Sequence, residues 1–147
     1  LPIFFTLANF LNDITGWSTY PSSILPDYSI LSITSDLSDN LWVGKRDGAA
    51  RLDRYRAWTY LTSGTTGGRL PQGPVRAVTT DLFSTRWFGT EHGLVRLRDT
   101  TWTTFNRSNT PELPSDTVTA LSYDSFGNLW IGTADGVCVH NEKGVFY

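Results

Sequence analysis

Three carboxylates, Asp36, Asp81 and Asp124, each close a short alternating stretch and open a turn, and their regular recurrence marks them as candidates for chemistry. A carboxylate so placed can accept amide hydrogen bonds from the turn that follows. The rival reading is calcium, because Asp124-Ser-Phe-Gly-Asn128 is rich in oxygen donors. A calcium loop needs several such donors at alternating positions, and only Asp124, Asn128 and Ser125 qualify, so turn capping is the expectation. His92 and His140 are the two histidines and stand at different strand phases. Zinc needs three or four convergent ligands, which this spacing does not supply. Cys138 is alone, which excludes an internal disulfide and a cysteine-rich metal site. Its apolar strand position makes it an inert buried thiol. No nucleophile elbow, phosphate-binding glycine loop or pair of catalytic acids occurs. Thr65-Thr-Gly-Gly68 reads as a flexible insertion, and Asn106-Arg-Ser108 fits a short glycosylation sequon of low specificity. No catalytic set, metal or cofactor is expected.

Composition says which elements must carry these groups. The chain has 147 residues, 39% of them hydrophobic and 14% aromatic, with six Trp, six Tyr, eight Phe, 13 Gly and seven Pro. Aromatic and β-branched residues between turn formers favour short strands. A formal net charge of −2 leaves no basic footprint for nucleic acid or an anionic membrane. Arg46, Arg51, Arg54 and Arg56 do cluster, but Asp47 and Asp53 stand among them, as on a solvated strand face. No stretch reaches the roughly 20 apolar residues of a membrane-spanning helix. Leu1 to Leu11 is apolar, and Ile3, Phe4 and Phe5 favour a strand there over a signal-peptide remnant. A chain that begins without Met is expected to be processed, or cut from something larger.

Self-comparison then shows an internal repeat. Segments from Leu25, Leu70 and Leu113 align without gaps, at intervals of 45 and 43 residues. Pro26, Pro71 and Pro114 align, as do the three aspartates. Trp42, Trp87 and Trp130 follow, with Gly44, Gly89 and Gly132 two residues later, and Gly48, Gly93 and Gly136 close the pattern. Each unit reads as four short strands, a spacing and strand count that suit a β-propeller blade. The fold class is therefore all-β, an array of four-stranded antiparallel blades over 25–62, 70–106 and 113–147. The last blade lacks most of its fourth strand. Residues 1–24 read as the tail of a partial blade, with Trp17-Ser-Thr-Tyr20 as a phase-shifted N-terminal edge strand.

The third unit, LPSDTVTALSYDSFGNLWIGTADGV, resembles the two-component regulator propeller repeat almost throughout. The second departs at Ser84-Thr-Arg86, where the family has Gly-x-Leu. The first has Ser38-Asp39-Asn40 and lacks the Thr after Gly44. The resemblance implies a propeller like the extracytoplasmic sensor part of hybrid histidine kinases, bacterial in type and periplasmic, secreted or surface-exposed. Nothing in the chain resembles a kinase, receiver or DNA-binding part.

Within that frame Trp42, Trp87 and Trp130 are expected to pack between blades, with Gly44, Gly89 and Gly132 admitting a neighbouring backbone. The second-to-third-strand turns share a rim with the connections around 63–73 and 107–116. Lys45, Arg46, Asp47, Glu91, His92 and Asp135 on that rim are the candidate ligand or partner contacts. The leading expectation is a non-enzymatic binding module, with a small molecule or glycan as ligand. A structural subunit of a secreted or surface complex is the alternative, and a propeller lyase or glycosidase the third. Propellers close with about 4–8 blades, so three need others. A second molecule forming a homo-oligomeric ring, or further blades of a larger parent chain, would supply them.

Overall fold

The computed structural model describes residues 29–142 together with Gly16. The blade tail over 1–24, its edge strand at Trp17 to Tyr20 and the last strand looked for in 143–147 lie outside the described residues, apart from Gly16.

Alternation of β-branched and aromatic residues between turns gives eleven described strands and no described helix. The first sheet holds β1 (Ile30–Ser35), β2 (Leu41–Lys45), β3 (Gly48–Leu52) and β4 (Trp58–Leu61) in that order. The second repeats the plan with β5 (Val75–Thr80), β6 (Arg86–Thr90), β7 (Gly93–Arg98) and β8 (Thr101–Phe105). The third holds β9 (Val118–Tyr123), β10 (Leu129–Thr133) and β11 (Gly136–His140). All strand pairs are antiparallel, with the register of the first two blades matching residue for residue: Trp42 faces Arg51 as Trp87 faces Arg96. The first-to-second-strand ladder slips at the same end in every blade, and a bulge there adds local twist.

The repeated aspartates shape the first turns. One oxygen of Asp36 accepts from the amides of Ser38 (2.9 Å) and Asn40 (3.0 Å). Asp81 accepts from Phe83 and Thr85, both at 2.8 Å, and Asp124 from Phe126 (2.9 Å) and Asn128 (3.0 Å). These oxygens face N–H donors and so cap the turns. The fourth residue of each turn is left-handed: Asp39 at φ 60°, Ser84 at 59°, Gly127 at 84°. In the first and third blades the Asn side chain and the Trp indole N–H also donate to the second carboxylate oxygen, the indoles at 2.9 and 3.0 Å. The second blade has Thr85 where the others have Asn, and the buried Trp87 indole N–H turns instead toward the Tyr123 phenol.

Blade-to-blade packing forms the core. Trp42, Val75, Val78, Phe88 and Val95 join the first two blades, with Trp102 packed against them. Trp87, Leu94, Val118, Leu129 and Ile131 join the second and third. Glycine is required where the sheets touch: a Cβ on Gly44 would lie 2.4 Å from the Val75 carbonyl oxygen, and one on Gly89 2.7 Å from Val118 Cγ1.

Trp130 corrects the expectation of a third buried ring. Trp87 is 1% exposed, whereas Trp130 is 45% exposed. The outer face of a second-strand Trp is covered by the next blade, and none follows the third among the described residues. Around Gly132, likewise, the nearest atom to an added Cβ is Ala120 Cβ of its own sheet, at 3.1 Å. The arginine cluster is not wholly solvated either, since half-buried Arg51 lies over the Trp42 ring at 5.9 Å. From the next blade Arg86, at the place of Leu41 and Leu129, covers the same ring at 5.3 Å and donates to the Ser84 carbonyl. Burial lowers the Arg86 pKa, and the nearby Asp36 carboxylate opposes that shift.

Candidate binding rim

In an antiparallel meander the second turn of a blade and the connection to the next blade emerge on one rim. Residues 45–48 and 62–74 therefore meet. The 62–74 segment is a series of hydrogen-bonded turns, not a loose insertion. Thr62 N donates to Thr65 Oγ1 at 2.8 Å, Gly68 N to the Ser63 carbonyl at 2.8 Å and Leu70 N to Thr66 Oγ1 at 3.0 Å. Leu70 is fully buried beneath it. Above, Arg46, Asp47, Thr62, Ser63, Gly64, Gln72 and Gly73 line an open cleft of about 490 Å³.

The candidate residues divide on this rim. Arg46 and Asp47 are exposed and share the cleft. Lys45 does not reach it as a ligand contact: only 2% exposed, it lies over the Tyr60 ring at 5.8 Å and donates to Asp47 at 2.8 Å. Its alkyl stem packs into the sheet and its charge is answered within the turn, which corrects its place among the contacts. Glu91 pairs with Arg76 at 2.5 Å, and His92 is exposed on the same turn, its amide fixed by Thr90 Oγ1 at 3.0 Å. Asp135 is exposed on the third blade, its amide donating to Thr133 Oγ1 at 3.3 Å. The adjoining Ala134 amide ties this turn to the Thr117 carbonyl at 3.0 Å. Neither Glu91, His92 nor Asp135 lines the Arg46 cleft.

The opposite rim carries features that reasoning from sequence missed. Leu37, Leu82, Phe83 and Phe126 stand exposed on the aspartate-capped turns, Phe83 at 84% and Phe126 at 73%. A cavity of about 680 Å³ lies between the turns of the second and third blades, bordered by Phe83, Tyr123, Phe126, His140 and Glu142. Hydrogen bonds from Asn128 and Trp130 hold the Asp124 carboxyl down to about 2. Glu142 receives Arg96 at 2.9 Å and Arg98 at 2.6 Å, and the Arg98 hydrogen bond lowers its pKa. His140 packs edge-on to Trp87, 5.5 Å between ring centres, and burial lowers its pKa against the pull of Glu142. Burial raises the Tyr123 phenol and the half-buried Cys138 thiol, the direction of an unreactive thiol. The available signal was the apolar residue beside each capping aspartate, inside a turn that otherwise reads as polar.

The two component regulator propeller family matches residues 112–135, the third repeat. A search of the curated proteins found no match. Among solved structures, the extracellular domain described as the hybrid two component system BT3049 from B. thetaiotaomicron is similar at 26% identity and TM-score 0.67, over 84% of this chain and 17% of that one. PorZ, a surface component of the type-IX secretion system of Porphyromonas gingivalis, is similar at 19% identity and TM-score 0.57, over 77% of this chain and 17% of its own. A streptogramin B lyase is similar at 16% identity and TM-score 0.56, over 80% of this chain and 42% of its own. The latter two likenesses are of fold alone. The chain spans a minor part of each of these proteins.

Proposed function

We propose that this chain is part of an extracytoplasmic, sensor-type propeller that binds a ligand or partner without catalysing its conversion. The observation that carries this reading is the Arg46–Asp47 cleft, where a rigid blade turn and a hydrogen-bonded connection present polar groups of both signs to solvent. Hydroxyl groups of a small polar molecule or glycan suit a guanidinium, a carboxylate and the Ser63 and Gln72 side chains. The likeness to the BT3049 extracellular domain supports an extracytoplasmic setting.

The test is amide chemical-shift mapping with a panel of neutral oligosaccharides. Shifts are expected at Arg46, Asp47, Ser63 and Gly73, and Arg46→Ala should remove them. Shifts confined to Ser125 through Asn128, on the opposite rim, would overturn the assignment.

A further inference from the structure

In the second and third blades the turn between the second and third strands closes on a threonine. Thr90 Oγ1 donates to the Gly93 carbonyl at 2.8 Å and accepts from the His92 amide at 3.0 Å. Thr133 Oγ1 donates to the Gly136 carbonyl at 2.8 Å and accepts from the Asp135 amide at 3.3 Å. In the first blade the same place, opposite Gly48, holds Lys45. Lysine there forgoes both hydrogen bonds of the turn. It also takes an ammonium out of water, since Lys45 is 2% exposed, and such a charge is costly to bury unless another group answers it. Asp47 answers it at 2.8 Å, and Asp47 lines the Arg46 cleft. Exposed Arg46, by contrast, has no ion-pair partner among the described residues. At the cleft one carboxylate therefore stands against two cations, Lys45 and Arg46, and one positive charge is left over.

Resting on the reading of this rim as a site for a hydroxylated molecule, we propose that the cleft selects sugars that carry one carboxylate. Arg46 is the receiving group, because a planar guanidinium offers a carboxylate two parallel N–H donors. Lys45 is a positioning residue that acts through Asp47. Left alone, the Asp47 carboxylate would repel an anionic sugar. The buried ammonium offsets that repulsion and holds one Asp47 oxygen in place. Ring hydroxyls meet the Ser63 and Gln72 side chains, as they would for a neutral sugar. The threonine of the other blades would close this turn without supplying the charge.

Isothermal titration calorimetry of the full chain with matched disaccharides tests the assignment. Each pair is a neutral disaccharide and the same disaccharide with one hexose replaced by its uronic acid. The acid should bind at least about tenfold more tightly, and Arg46→Gln should abolish that ratio. Lys45→Thr installs the residue that closes the other two turns, so the strands should be kept, as circular dichroism would check. It should cut the ratio by at least about threefold. In an Asp47→Asn background the same change should alter the ratio far less, a dependence that a purely structural lysine would not show. Equal affinity for the two sugars, with amide shifts at Arg46 from both, would overturn the inference and leave the binding rim standing. Binding of neither sugar would remove the rim and the inference together. A wild-type ratio in Lys45→Thr would overturn the inference as well.

Discussion

Replacing the second-strand tryptophans one at a time measures how much of blade stability comes from the neighbour. Truncating a fully buried aromatic costs about 3–5 kcal/mol. Trp87 lies 5.9 Å from the Phe105 ring centre, beneath Arg96 and beside His140. Its loss should cost about 4 kcal/mol. Trp130 keeps only about half of that burial, so area scaling gives about 2 kcal/mol. Its exposed hydrogen bond to Asp124 adds little. The gap is therefore about 2 kcal/mol, or a difference of roughly 1 M in urea midpoint for an m-value near 2 kcal/mol/M. Urea unfolding of Trp87→Ala and Trp130→Ala gives the comparison. Trp102, stacked on Phe88 at 6.0 Å, should cost at least as much as Trp130, reversing the order its outer-strand position would suggest. Equal midpoints for Trp87→Ala and Trp130→Ala at equal m-values would refute the argument that the following blade supplies the burial.

The glycines should show the same asymmetry. Gly89→Ala should destabilise by about 1–3 kcal/mol through overpacking against Val118, and Gly132→Ala by clearly less, as thermal midpoints would show. Arg86→Leu, which restores the residue type at the aligned position 129, should be neutral or stabilising because it removes a half-buried guanidinium; a large loss in urea unfolding would show that Arg86 contributes more than it costs. For Asp124 the folded pKa is about 2 and the ordinary value 3.8. Its contribution is therefore present above the ordinary value and fades as pH falls through that interval toward the folded pKa. Carbon-detected titration of the carboxyl should find the low value in wild type and a rise toward the ordinary one in Asn128→Ala.

The strand plan was legible because each blade states it independently: Trp42, Trp87 and Trp130 align, and so do the aspartates that cap the turns. What the sequence could not convey was the company each residue keeps. Trp130 is the same residue in the same local frame as Trp87, and its exposure depends on what lies across its outer face. Lys45 reads as a rim cation, yet Tyr60 two strands away and Asp47 beside it draw the side chain inward. Arg86 looks like a defect in the motif until Trp42 of the preceding blade appears beneath it. On the rim, turn polarity pointed to Arg46 and Asp47, while Phe83 and Phe126 escaped notice because a capped turn gives no reason to expect an exposed ring.

The left-handed corner of the first turn bears on how such blades change over generations. That corner favours glycine, yet Asp39 and Ser84 occupy it in two of the three blades. Leaving glycine costs roughly 1–2 kcal/mol at such a site, less for Asp or Asn. The two amide hydrogen bonds accepted by the aspartate three residues earlier are kept in every blade and hold the corner either way. A duplicated blade can therefore shed its glycine and keep its shape, but should not survive loss of the aspartate. Divergence then erodes the glycine first, and distant descendants of this repeat are better traced by an aspartate, a tryptophan six residues on and a glycine two beyond than by the glycine of the turn.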